Sequence, residues 1–533
     1  MATLLTDQQA AGHARAVRPF WVFTGFAATV DAQALEALTD HPDVASVTLD
    51  ETYRLPEPAA EPGGPKLPGW SLERVKAPQV WGEYGIRGEG VVVGVMDSGA
   101  DGGHPALAGS WRGATGDPTK SWFAPTGEDY PTPGDGFGHG THVTGSIVGG
   151  APGDVVGVAP DAQWIAAKIF RDGGSTTSSI IHAGFQWMLA PGGDPTAAPD
   201  VVNNSWGSAD TYQTEFWGDV DAWVAAGIVP MFANGNDGPV AQSVGSPGSF
   251  PQSIAVGATD VNDVVAGFSS RGPVTWDGVT LTKPQISAPG HHIYSAWPRQ
   301  LPEGPYFTIS GTSMATPHAT GVVALMLSGA PNLTVAEVRD LLESTARVEP
   351  HMGTVPDNDY GHGITDSYAA VTKASHSGVL TGTVTGPDGP VEATLRVVGN
   401  GWKTTSSATS GQYELAVTEG TQQIRVSAPG YVTQTVTVDA VAGEVRTQDV
   451  TLAVAARYPV AGTVTGADGT VDGARVSVEG PAGDPVFSAA DGRFALDLAE
   501  GEYVLRVTAN GHGLYREEIV VDGPETVDVD LQP

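Results

Sequence analysis

The chain is 533 residues long, sets 60 acidic against 26 basic side chains for a net charge of −34, and contains no cysteine. That length exceeds what one hydrophobic core supports, so about two to four domains are expected; the acidity speaks against a nucleic-acid partner, whose phosphates need a basic face, and the missing thiols exclude disulfides and thiolate-bound zinc. The hydrophobic fraction of 40% is that of a globular protein, and no stretch reaches the roughly 18 apolar residues that a membrane helix needs.

The opening Met1-Ala2-Thr3-Leu4-Leu5-Thr6-Asp7 lacks the basic-then-apolar pattern of a secretion signal. Either the protein stays inside the cell, or the sequence begins downstream of its true start. Residues 1–58 read as a small α+β unit. Phe20-Trp21-Val22-Phe23 and Val44-Ala45-Ser46-Val47-Thr48-Leu49 have strand composition, and Ala32 to Leu38 has one apolar helical face. A linker follows at 59–69. The run from Pro56 to Pro65 is too rich in proline and glycine for a regular element and exposed enough to be cut.

From 70 to 373 strand and helix patterns alternate. Leu72 to Trp81 opens the region as a helix, and Val91-Val92-Val93-Gly94-Val95-Met96 is a continuous apolar run suited to a strand buried on both faces. Further strands are expected at 164–169, 201–204, 228–232 and 253–257, and helices at 176–189, 215–226 and 313–327. A last helix near 334–346 opens with a Thr334…Glu337 capping box. The predicted fold class is α/β, an open, mostly parallel sheet flanked by helices, with ligand chemistry beyond the carboxyl ends of its strands. After 374 the helical patterns stop. Leu380-Thr381-Gly382-Thr383-Val384-Thr385-Gly386-Pro387-Asp388-Gly389 repeats as Val460-Ala461-Gly462-Thr463-Val464-Thr465-Gly466-Ala467-Asp468-Gly469, which predicts two β-sandwiches, 378–453 and 457–533, with Asp-Gly turns.

Three polar residues stand where chemistry could be done. Asp97 ends the Val91–Met96 run, His139 sits between two glycines, and Ser313 opens an apolar helix at which Pro317 is tolerated in the first turn. A serine at a helix N-terminus meets unpaired N–H groups that can hold an oxyanion, although such a serine can also be no more than a cap. A serine nucleophile needs a base that titrates near neutrality, and that base needs a carboxylate to fix its tautomer. His142, one turn beyond His139, suggests a metal site, but no third ligand stands nearby, and His142 is read as structural.

Asp97-Ser98-Gly99, Gly138-His139-Gly140-Thr141-His142 and Gly311-Thr312-Ser313-Met314-Ala315, in that order, resemble the three signatures of the subtilisin-like serine peptidases over roughly residues 70–371. Asn204-Ser205-Trp206-Gly207 is similar to the bacillopeptidase F-like branch. The resemblance implies a serine endopeptidase working through an acyl-enzyme, with Asp97 as orienter, His139 as general base and acid, Ser313 as nucleophile and Asn236 as oxyanion donor; Asn234 is left as a turn residue. It implies that Ser205, Trp206 and Gly207 pair with protein or peptide substrate and that Gly235 and Gly245 line the pocket, with a cis peptide at Ser246-Pro247. Trp206 either narrows that pocket or simply packs. No acidic residue stands among these positions, so a preference for basic side chains is not indicated. The resemblance requires no cofactor for the chemistry. It allows structural calcium, but Ala106 stands where relatives carry a ligating aspartate, so no metal residue is assigned.

Phe23-Thr24-Gly25-Phe26-Ala27-Ala28 and His41-Pro42-Asp43-Val44-Ala45-Ser46-Val47 resemble the inhibitor-like propeptide of the same family, which makes residues 1–58 the peptidase's own partner and the whole a secreted zymogen. The C-terminal modules resemble carboxypeptidase regulatory-like domains, whose use in adhesion, substrate capture or stabilisation stays open, as does their partner. Two other readings stand beside this one: an inert scaffold used for binding, and an intracellular processing peptidase, which the missing signal favours and the propeptide and sandwiches oppose.

Overall fold

A computed structural model describes residues 2–55, 59–60, 69–151, 154–375, 377–398, 403–441, 444–467, 469–479, 485–509 and 512–532. Residues 1–375 and 376–533 form two compact units. The first is built on a seven-stranded sheet in the spatial order Ile286–Pro289, Ile254–Thr259, Val229–Ala233, Val201–Asn204, Val92–Asp97, Gln163–Lys168 and Trp122–Phe123. Every neighbouring pair is parallel. Residues 201–204, 229–233 and 254–259 are buried throughout, which is why the sequence shows continuous apolar runs there instead of alternation. The order reverses at Val92–Asp97: the chain first adds strands on one side of it, then returns at Val201 to build outward on the other. The carboxyl ends of these two adjacent strands, Asp97 and Asn204, therefore mark the switch point where open α/β sheets place their chemistry.

Helix Thr312–Gly329 is buried from Thr312 through Leu327, as an all-round apolar sequence demands, and packs on helix His139–Val148 and on the sheet. Helices Ser178–Leu189 and Trp217–Ala225 pack together, and the aromatic cluster of Phe185, Trp206, Phe216, Trp223 and Phe232 lies beneath them. Helix Val335–Thr345 starts at the expected capping box, with the Thr334 side chain accepting from Glu337 N–H.

The N-terminal segment differs from its reading in three places. The first strand, Ala14–Phe20, stops where Phe20-Trp21-Val22-Phe23 was expected to begin one; residues 21–24 are the turn of a hairpin to Gly25–Val30, with Thr24 at φ 57°. Val44–Leu49 was expected as a strand but meets no partner strand among the described residues, and Leu49 is 85% exposed. The linker, expected to hold no regular element, contains a two-residue strand, Ala59–Ala60, antiparallel to Tyr306–Ser310. Most of the rest of that linker, 61–68, lies outside the described residues. Helix Ala32–Thr39 forms as expected, capped by Asp31, whose carboxylate accepts from Ala34 N–H and from His13.

The second unit is β-rich and mostly antiparallel, with two short parallel pairings in each copy, and its repeat is preserved down to side chains. Strand Ser377–Gly386 pairs with Gln412–Thr418, and Arg457–Gly466 pairs with Arg493–Ala499 in the same way. In the first copy Thr383 donates its N–H and hydroxyl to Asp449; in the second Thr463 does so to Asp528. A four-stranded sheet accompanies each pair, and in the second copy one core joins Val460, Phe494 and Leu498 to Val476, Leu505 and Val521 of that sheet. Asp468 of the expected turn lies outside the described residues.

Candidate active site

Asp97 is the last residue of its strand and is 0% exposed. Its carboxylate accepts from Ser98 N–H at 2.7 Å and from His139 Nδ1, at 2.9 Å to Oδ1 and 3.0 Å to Oδ2. His139 is the first residue of helix His139–Val148, and Gly138 turns the chain into that helix at φ 101°. The helix can approach Asp97 only because its next residue is glycine: a Cβ on Gly140 would stand 2.1 Å from the Gly99 carbonyl oxygen. Burial pulls the His139 pKa down, but the Asp97 carboxylate and, more weakly, Asp135 outweigh burial and raise it above the ordinary histidine value.

Asp135 is a member of this site that sequence reasoning missed. It is fully buried and accepts from Phe137 N–H, Gly138 N–H, Thr141 N–H and the Thr141 hydroxyl, at 2.7–3.0 Å. An aspartate four residues before a Gly-His helix start was the available signal, since free N–H groups at helix starts call for such an acceptor. His142 is set apart from this chemistry. Its Nε2 donates to the Ile293 carbonyl, and burial drives its pKa to about 3, so the ring is neutral.

Ser313 lies in the first turn of helix Thr312–Gly329, 4% exposed. Its hydroxyl donates to the Ser205 carbonyl at 3.0 Å, and the Ser205 hydroxyl donates back to the Ser313 carbonyl at 2.8 Å, so the strand after Asn204 is tied directly to this turn. Among the described residues no hydrogen bond joins the Ser313 hydroxyl to His139. Asn236 is anchored through its side-chain oxygen, which accepts from Thr312 N–H and the Thr312 hydroxyl, each at 2.9 Å. Its Nδ2 is thereby turned to Gly311 and lies 3.7 Å from where a Cβ on that glycine would be. Asn234 is fully buried and donates to the Ser270 carbonyl, away from this constellation.

Gly235 (φ 104°) and Gly245 sit where side chains would collide with Ser270 and with the Ser208 carbonyl. Ser208 N–H donates to the Ser246 carbonyl, which joins the end of Ser205-Trp206-Gly207 to the wall that begins at Gly245, and the Ser246-Pro247 bond is cis. The Trp206 ring packs against Phe170, Phe185, Phe216 and Phe232 at 5.8–6.3 Å. It is 3% exposed and shares its cluster with Tyr53 and Leu55 of the N-terminal segment.

One edge of the cleft was not foreseen. Ser175–Thr177, whose last two residues were assigned from sequence to a helix, is a strand pairing antiparallel with Thr52–Arg54, and Leu55 N–H donates to the Gly174 carbonyl at 2.9 Å. Tyr53 and Leu55 point into the aromatic cluster that contains Trp206. On the far side of 56–58, Ala59 pairs with Ser310, three residues before Ser313. Nothing local in the sequence announces this, because the partners are more than a hundred residues apart. The hairpin before it is also docked: Trp21 N–H donates to Gln186, and the Phe23 ring lies 4.5 Å from that of His182.

Among the described residues no group of three His, Asp or Glu side chains could hold a metal ion. In the Asp97–Leu107 loop Ala106 is buried, and Asp101 is taken up by Arg299 Nε at 2.8 Å. That loop offers calcium no carboxylate cage.

A family profile described as the subtilase family matches residues 88–363. The chain belongs to the subtilase family. Profiles of the peptidase inhibitor I9 and of the carboxypeptidase regulatory-like domain match residues 3–56 and residues 379–453 and 459–532. The chain is 36% identical to bacillopeptidase F of Bacillus subtilis (strain 168) over 399 residues, 69% of this chain and 27% of that protein, so it spans about a quarter of that relative. It is 38% identical to subtilisin E of the same strain over 324 residues, 60% of this chain and 74% of that protein. Serine protease AprX of that strain is 36% identical over 286 residues, 49% of this chain and 62% of that protein. This subtilase is thus a serine peptidase that carries an inhibitor-like domain ahead of its catalytic unit, the arrangement of a proenzyme.

Proposed function

We propose that this subtilase is a secreted serine endopeptidase whose first substrate is its own chain. The observation that carries the reading is a buried Asp97–His139 pair whose helix packs on the helix that holds Ser313 in its first turn, beside an Asn236 amide whose oxygen Thr312 holds. In the reaction the Ser313 hydroxyl leaves the Ser205 carbonyl by rotation about χ1 and gives its proton to His139 Nε2 as its oxygen attacks the peptide carbonyl. Asp97 holds the Nδ1–H and stabilises the imidazolium. The oxyanion takes hydrogen bonds from Asn236 Nδ2 and Ser313 N–H, both fixed before the reaction begins. His139 then protonates the departing amine, and water repeats the sequence on the acyl-enzyme.

Ser205-Trp206-Gly207 and Gly174–Thr177 present main-chain groups on which an extended substrate adds as a strand. The pairing of Thr52–Leu55 supports this mode: Tyr53 and Leu55, two apart, bury their side chains while Thr52 and Arg54 face out. Good substrates should therefore carry apolar side chains with this spacing. Secretion is supported by the inhibitor-like domain and by the two appended β-rich modules, which we read as β-sandwiches that meet a further partner. Incubation of the full chain with a serine-directed fluorophosphonate followed by intact mass tests the chemistry. A single adduct on Ser313, lost in His139→Ala, is expected; labelling that survives this substitution would refute the proposed base.

A further inference from the structure

Residues 376–453 hold seven acidic side chains and four basic ones, Arg396, Lys403, Arg425 and Arg446. Arg446 has an acid beside it, Glu444 at 3.8 Å. The other three stand in one line. They belong to the four-stranded sheet of this copy, whose spatial order is Lys403–Thr405, Thr394–Val397, Gly420–Ser427 and Gln434–Ala440. Arg396 is directly opposite Lys403 on one side and Arg425 on the other, and Arg425 is opposite Thr435. Leu395, Val397, Ile424 and Val426 alternate with them into the core, so the three cations face out, and all three are exposed. The strand spacing sets them about 5 Å apart at the backbone. Like charges directly opposite one another destabilise a sheet, and among the described residues none of the three has an ion-pair partner. Folding therefore gives no reason for such a row in a chain of net charge −34.

The rest of this face is hydroxyl and amide, with Thr405, Gln423, Thr435 and Thr437 exposed around the row. Asp439 is the one acid of the four strands; it lies four residues beyond Thr435, and its carboxylate accepts from the Thr421 hydroxyl at 2.7 Å. Among the described residues these strands expose no large apolar side chain, which a membrane or a folded protein partner would engage. The second copy lacks the row: Arg506 has Arg516 opposite on one side but Ser477 on the other. We propose that the outer face of the first module binds a linear polysaccharide of uronic acids laid across the strands, its successive carboxylates meeting Lys403, Arg396 and Arg425 and its hydroxyls the neighbouring threonines. Arginine takes a carboxylate through two parallel hydrogen bonds, and one carboxylate per sugar supplies an anion for each strand crossed. The acidity of the remaining chain does not forbid this, because at physiological ionic strength exposed charges more than about 8 Å away are largely screened. The site gives the C-terminal modules a partner and does not depend on Ser313 acting as a nucleophile.

The test is affinity electrophoresis of the full chain through gels containing polygalacturonate, dextran or inorganic polyphosphate, together with flotation on phosphatidylglycerol vesicles. Polygalacturonate should retard the parent protein, less so as salt is added, and dextran should not. Arg396→Gln and Arg425→Gln should each weaken the retardation by about two- to fivefold, the range for exposed charge pairs, and the double variant by about tenfold. Arg396→Lys should keep most of it, and Arg506→Gln in the second copy should stay within about twofold of the parent. The thermal midpoint of the double variant should hold or rise, because like charges are removed from facing positions, so a loss of binding is not a loss of fold. The proposal is overturned if polygalacturonate does not retard the parent, if dextran retards it equally, or if the double variant runs as the parent does. Tighter binding to polyphosphate or to the vesicles than to polygalacturonate would also overturn it, by assigning the row to phosphate or to a lipid surface. Fluorophosphonate labelling separates this site from the peptidase reading: a chain that binds polygalacturonate and does not label would sink the peptidase account and leave the site standing.

Discussion

Asp97 and His139 are both closed off from water, and this governs how acidity acts on the reaction. The base must be neutral, and its pKa lies above the ordinary 6.5, so kcat/KM should climb with pH through a midpoint above 6.5. Asp135→Asn removes one of the two carboxylates that raise it and should move the midpoint to lower pH; an unmoved midpoint in a folded variant would deny Asp135 any electrostatic part. Asn236→Ala should lower kcat by about 10²–10³-fold with little change in KM, a figure taken from the known loss of an oxyanion donor in a subtilisin and not obtained from this chain. A loss confined to KM would place Asn236 in substrate binding instead. His182 offers a stability prediction. Both ring nitrogens face carboxylates, Asp219 at 2.9 Å and Glu215 at 3.1 Å, and although burial works against the charge these bonds raise the pKa to about 9. A raised folded-state pKa stabilises fully below about 6.5 and is lost as pH climbs through about 9. His182→Gln should therefore cost on the order of 2 kcal/mol at pH 7 and much less at pH 10, read from denaturant midpoints at both values; equal losses at both would contradict the ion pair.

At the scale of elements, the approach of one helix to one strand end sets the geometry. Gly140→Ala places a methyl 2.1 Å from the Gly99 carbonyl, so the helix that carries His139 must withdraw. A stability loss of about 1–3 kcal/mol and a fall in kcat of at least about tenfold are expected, measured by denaturant melts and peptide kinetics; wild-type kinetics would show that the close approach is dispensable. The elements legible in the sequence are those whose reason is local. Val91–Met96 announces a strand because both of its faces are buried, and Thr334 with Glu337 announces a helix start because the two bond each other. Trp21 to Phe23 misled because strand-like bulk here stands at a hairpin tip, with Trp21 60% exposed and the Phe23 ring against His182, and Val44–Leu49 because its apolar residues find no partner strand among the described residues. Thr176 and Thr177 read as the start of the following helix; only Thr52–Arg54, far back in the chain, makes Ser175–Thr177 a strand. Asp97, His139 and Ser313 were legible as a motif set. The hydroxyl of Ser313 turned to Ser205 and the locking of Asn236 by Thr312 are contacts between elements, which no local pattern carries.

At the scale of the molecule, residues 1–375 and 376–533 pack as separate units, each with its own core, so a chain ending at Ser375 should keep kcat/KM on short peptides within about twofold. A large loss would mean that the C-terminal modules complete the catalytic unit. The inhibitor-like domain ends against the cleft, with Leu55 bonded at Gly174 and Ala59 at Ser310, and the proposed self-cleavage is expected between them. The measurement that tests this most directly is intact mass and N-terminal sequencing of the purified protein beside its Ser313→Ala variant. A mature chain that begins at residue 56, 57, 58 or 59 is expected, beside a variant that stays whole. A mature end elsewhere, or a variant purified alone that is trimmed to the same size, would contradict it.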